Sequence, residues 1–102
     1  DILQSNWYYD GFTEGDALYM NAFDALERGG FEQVPAGSVW SRRDNLGLMV
    51  DYVTPRIDRE RLCGFMQTVW RPMMPNYAER QQMGTETLSE AKKQYEAMMA
   101  AR

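Results

Sequence analysis

Apolar residues in this chain fall alternately into short continuous runs and into stretches with three- and four-residue spacing. That is the pattern of a strand followed by a helix, three times over. Ile2 to Asp10 (ILQSNWYYD) is a mostly apolar and aromatic run of strand length, ended by Gly11. Asp16 is the best N-cap in Thr13 to Asp16, and Ala17 to Arg28 follows as a helix with Leu18, Ala22, Ala25 and Leu26 on one face. Gly29-Gly30 ends it, because the residue after a helix commonly turns left-handed.

Phe31 to Ala36 (FEQVPA) is a second, weaker strand, because Pro35 has no N–H for a ladder, and Gly37 to Ser41 is the loop after it. Asp44 caps a second helix, on which Leu46, Met49, Val50, Val53 and Ile57 line up, and Pro55 ends it near Thr54. Leu62 to Trp70 (LCGFMQTVW) is the most apolar run and suits a strand buried on both faces, which also makes Cys63 an inert buried thiol. Pro75 opens a short helix that Gly84 breaks. Thr87 and Glu90 then form a capping box for a last helix, Leu88 to Arg102, with Leu88, Ala91, Tyr95 and Met98 on one face.

Strands separated by helical crossovers pair in parallel. The expected fold is therefore α/β, three successive βα units with parallel strands and a C-terminal helix. The whole of 1–102 forms one segment, with the terminal helix over 85–102. A length of 102 residues allows one domain at most. The chain opens at Asp1 in an apolar segment, which suggests that something precedes it.

Charge and composition narrow the chemistry. Eleven Lys+Arg against fifteen Asp+Glu give a net charge of -4 with no basic cluster, a poor match to nucleic acid phosphates. No apolar run reaches the ~18 residues of a membrane span. The absence of His removes the usual triads and most zinc sites, and the single Cys63 rules out an internal disulfide. Phosphate-binding glycine loops and nucleophile elbows are absent, so neither a metal nor a cofactor is expected.

What stands out is aromatic. Trp7, Trp40 and Trp70 each fall at or just past the C-terminal end of an expected strand, where parallel α/β folds bind ligands. Three indoles on one rim, with Tyr8, Tyr9, Asp10, Gln67 and Arg71 beside them, suit a sugar. Its C–H bonds pack on the rings while its hydroxyls find hydrogen bonds. The same tryptophans can equally fill a small core. The eight Met residues are best explained as flexible core filler. A glycosidase needs two carboxyls ~5–9.5 Å apart, and only Asp10 ends an expected strand, so no catalytic residue is assigned.

On DILQSNWYYD and LCGFMQTVW the chain resembles the C-terminal part of a (β/α)8-barrel glycoside hydrolase, most closely the β-N-acetylhexosaminidase-like group, glycoside hydrolase family 20 in the broad sense. The first stretch is similar to late barrel strands ending in Tyr-x-Asp. The second is similar to a last barrel strand with its Gly and, six residues on, a Trp; FEQVPAGSVW lies between them. The resemblance covers about residues 1–80 and implies a partial TIM barrel, strands six to eight. It implies Trp70 as a pocket wall and Tyr8 and Asp10 as sugar contacts; Trp7, Trp40 and Gln67 complete the expected substrate-binding set on their position along the strands alone. The Trp-x-Glu of that family is Trp70-Arg71-Pro72 here, so its sugar-binding Glu is missing. The family's catalytic Asp-Glu pair has no counterpart in the chain.

The expectation is thus a C-terminal fragment of a glycosidase that supplies subsite walls for a carbohydrate substrate and is inactive alone. It would be periplasmic or secreted, and would self-associate or pair with an upstream barrel segment. A non-catalytic carbohydrate-binding module and an interaction domain with core aromatics are the alternatives.

Overall fold

The computed structural model describes residues 3–9, 11–12, 17–39, 42–69 and 76–101, and all structural statements below concern these residues. The chain is a mixed α/β structure in the order α1 (Ala17–Arg28), β1 (Ala36–Ser38), α2 (Asn45–Val53), β2 (Met66–Thr68), α3 (Tyr77–Ala100). β1 and β2 pair in parallel with Ala36 opposite Met66 and Ser38 opposite Thr68.

Parallel bridges extend this ladder on both sides. Gln4 pairs with Gln33, Trp7 with Ala36, and Gln33 with Leu62. Gln4 N–H donates to Glu32 O and Val34 N–H to Gln4 O, both at 2.9 Å. Ala36 N–H donates to Asn6 O, and Tyr8 N–H to Ala36 O. On the other side Gln33 N–H donates to Arg61 O at 2.8 Å and Cys63 N–H to Gln33 O at 2.9 Å. Three extended segments therefore lie side by side in chain order, all running one way. The middle segment runs through Pro35, which is tolerated because its carbonyl still accepts from Met66 N–H at 2.9 Å.

One face of this layer carries the core: Phe23 from α1, Leu46, Met49, Val50 and Val53 from α2, Ile57, Leu62, and Ala91 from α3. A nine-residue helix is too short to hold itself in water. Each buried Leu, Met or Val contributes ~1.5–3 kcal/mol, so packing rather than propensity makes α2. The predicted stripe of Leu46, Met49, Val50, Val53 and Ile57 is buried throughout, and α2 ends at Val53, just before Pro55.

α1 spans the predicted range, and its end is built as glycine allows. Gly30 takes φ 76°, Gly30 N–H reaches Glu27 O, and Phe31 N–H reaches Leu26 O. Its buried face centres on Phe23, with Ala22 and Leu26 partly buried and Ala25 exposed. The Asp16 cap lies outside the described residues. Asp44 makes no side-chain cap bond; Arg42 holds its carboxylate instead, with Nη2 donating at 2.9 Å.

Four expectations are corrected. The second strand is Ala36–Ser38 with a bridge at Gln33, so the ladder continues into the segment read as loop. The third strand is Met66–Thr68, with Met66 exposed, because helices cover only one side of it. Cys63 is exposed, its thiol donating to Glu32 Oε2 at 3.2 Å, which raises its pKa. α3 is continuous from Tyr77 to Ala100, with no break at Gly84 and no new start at Leu88. Gly84 is buried against Val69, and the Thr87 hydroxyl donates back to Met83 O at 2.9 Å rather than capping.

Candidate functional site

The alternation of a strand sorts the aromatic run into two sets. Tyr8 points to the helix side, stacked on Tyr19 at 5.3 Å and edge-on to Phe12 at 5.5 Å. Trp7 and Tyr9 point the other way, their rings 5.3 Å apart and inclined by 32°. Trp7 is 65% exposed there.

The same rule applies to the other two segments. Gln33 is fully buried on the helix side, its amide donating to Phe23 O at 3.3 Å. Gln67 also turns to the helices, its amide donating to Gly84 O at 2.8 Å and to Thr87 Oγ1 at 2.5 Å. Its neighbours Met66 and Thr68 face away. An open cavity of about 420 Å³ results on the face opposite the helices, lined by Ser5, Trp7, Tyr9, Ala36, Met66 and Thr68.

This face has an aromatic end and a hydroxyl end. Thr68 Oγ1 donates to Tyr9 Oη or to the Gly37 carbonyl, each 3.2 Å away. Ser38 Oγ donates to Thr68 O at 2.8 Å. Tyr9, Ser38 and Thr68 each stand at the C-terminal end of one of the three parallel segments, so one hydroxyl comes from each. No charged group is among the described residues that line the cavity. Flat rings beside neutral hydrogen-bonding groups can bind a partly apolar, hydroxyl-bearing ligand. Among the described residues, no group of three or more His, Cys, Asp or Glu is placed to hold a metal ion.

Of the six residues expected at the site, Trp7 lies on this face. Tyr8 and Gln67 do not share it: period-two alternation sends them to the helix side, where Tyr8 packs on α1 and Gln67 is spent on α3. Asp10, Trp40 and Trp70 lie outside the described residues, as does Arg71. Ser5 and Thr68 were missed. Counting by twos from Trp7 leads to Ser5 and Tyr9, but Thr68 needs the register with β1.

Two other hollows lie among the helices. One of about 280 Å³ is lined by Leu46, Phe65, Leu88 and Tyr95 among others, and one of about 240 Å³ by Arg43, Asp44, Glu90 and Gln94 among others. Comparisons with protein-family models, with curated proteins and with solved structures each give no match. No described helix is long and apolar enough to cross a membrane.

Proposed function

We propose that the face opposite the helices binds carbohydrate and that the chain is the sugar-contacting part of a barrel-type glycoside hydrolase. One observation carries the reading: an exposed Trp7 ring beside Tyr9 at the C-terminal end of a parallel layer, with hydroxyls at the far side of the same cavity. A tryptophan serving the core would be buried, so this exposure favours a binding surface over core aromatics. In a (β/α)8 barrel the helices lie outside and this face lines the interior, and the C-terminal strand ends form the active-site mouth.

On this reading Trp7 and Tyr9 present a stacking wall for a pyranose ring. Tyr9, Ser5 and Thr68 offer hydrogen bonds to its hydroxyls. An N-acetylhexosaminide is the substrate class that the family resemblance suggests. The described part of the chain contributes binding and no catalytic carboxylate pair, so the purified chain binds without hydrolysing.

Titration with N-acetylglucosamine, read by the indole N–H resonances of the tryptophans, tests this. The expected result is a saturable shift of the resonance that disappears in Trp7→Phe, with a Kd on the order of 1 mM, equivalent to about 4 kcal/mol. No shift of that resonance with N-acetylglucosamine, glucose or galactose up to about 50 mM would overturn the proposal.

A further inference from the structure

On α3, Leu88, Ala91, Lys92 and Tyr95 share one face by their three- and four-residue spacing, and on α2 Leu46 and Val50 do the same. Between these two faces and the Gly64-Phe65 segment lies the hollow of about 280 Å³. Leu46, Val50 and Ala91 form its buried floor. The Phe65 and Tyr95 rings wall it, edge-on with centroids 5.6 Å apart. Leu88 stands 44% exposed at its rim.

The polar part of this lining is small and one-sided. Lys92 is the one charged group among the described residues that line it, and the Tyr95 phenol is the other hydrogen-bonding side chain. Both can donate a hydrogen bond, and no carboxylate lies beside them in the lining. Lys92 pairs with Glu96 at 4.0 Å, one helical turn on, and both side chains are largely exposed. Such a pair is weak in water, so the ammonium is available to a second acceptor.

We propose that this hollow binds a small apolar carboxylate, with its hydrocarbon end against Leu46, Val50 and Phe65 and its acid group at Lys92. The size fits. Liquid water occupies ~30 Å³ per molecule, so the hollow of about 280 Å³ has room for about nine non-hydrogen atoms. That is a medium-chain fatty acid or a short arylalkanoate. A protein partner covers about 800 Å² on each side, far more than this hollow offers.

The chemistry selects in the same direction. Walls of carbon leave the hydroxyls of a sugar unpaired, which is costly. An amine meets the like charge of Lys92, and an alcohol forgoes its attraction. Phe65 and the hollow lie on the helix side of the layer, opposite the Trp7–Tyr9 face, so the proposal is independent of the carbohydrate reading.

Methyl-resolved NMR of the whole chain, titrated with heptanoate as a probe of this size, tests it. The expected result is a saturable shift of the Leu46, Val50 and Leu88 methyls with a Kd on the order of 1 mM, while the exposed Leu3 methyls, outside the hollow, stay in place. Heptanol is expected to bind about fivefold more weakly, and heptylamine to give no saturable shift. Lys92→Glu is expected to weaken heptanoate about tenfold and to leave heptanol within about twofold. Leu88→Ser, at an exposed position, is expected to weaken both. Unmoved Leu46 and Val50 methyls at about 20 mM heptanoate overturn the proposal. So does heptanol binding as tightly as the acid, or a Lys92→Glu chain that binds heptanoate as wild type does.

Discussion

At the scale of single residues, the side chain that most closely ties the layers together is Asn45. It is fully buried at the start of α2. Its Nδ2 donates to Tyr8 O and its Oδ1 accepts from Ser38 N–H, both at 3.0 Å. One amide thus joins the first segment, β1 and α2 just behind Tyr9 and Ser38 of the candidate site. Asn45→Ala removes both hydrogen bonds and is expected to cost about 3 kcal/mol, measured by urea unfolding. Asn45→Asp is expected to cost at least as much, since a carboxylate facing the Tyr8 carbonyl has no proton to donate. In sequence, Asn45 looks like any polar residue near a helix start. Its importance comes from two carbonyl and amide groups that lie 37 and 7 residues away.

At the scale of elements, Gly84 separates local preference from packing. Propensity makes glycine a break, worth about 1 kcal/mol against alanine. α3 nevertheless runs through it, because a Cβ there would lie 2.8 Å from Val69 Cγ2. The glycine lets the helix sit close to the sheet, and the Gln67 amide then reaches Gly84 O. Gly84→Ala is expected to lower stability by about 1–2 kcal/mol despite the better helix former, and Val69→Ala in the same chain to recover part of the loss. Gly47 in α2 is the contrast. Its Cβ would meet only Gln94 Oε1 at 3.4 Å, so Gly47→Ala is expected to raise stability by about 0.5–1 kcal/mol. Thermal melts of the two alanine variants check both signs.

For the whole molecule, acid stability depends on an ion pair that closes the far end of the layer. Glu27 of α1 accepts from Arg61 Nε and Nη2 at 2.7 Å each and from Asp58 N–H at 2.9 Å. The hydrogen bond from Arg61, opposed by partial burial, holds the Glu27 pKa below its ordinary value. A lowered folded-state pKa means that the unfolded chain takes the proton more readily. The stabilisation is therefore complete above the unfolded value of about 4.3 and is lost as pH falls through the folded one. Glu27→Gln is expected to lower Tm by a few degrees at neutral pH, and its gap from wild type to close as melts are carried below about pH 4. The open sheet face also belongs to this scale, since three segments build it.

The hydrophobic pattern by itself determined α1 and α2 in outline, the parallel order of the extended segments, and the α2 stripe from Leu46 to Ile57. These follow from short-range rules: period and the Gly29-Gly30 stop act within a few positions. The position of Trp7 near a strand end was legible for the same reason. Only the tertiary structure decided which residues share a face and how far each element runs. Tyr8 and Gln67 went to the helices because the pleat alternates and α1 and α3 took them. Gly84 stayed helical because Val69 lies beneath it. Thr68 joined Tyr9 only through a register set 30 residues earlier, at Ser38. Such outcomes depend on contacts between distant parts of the chain, and no local pattern encodes them.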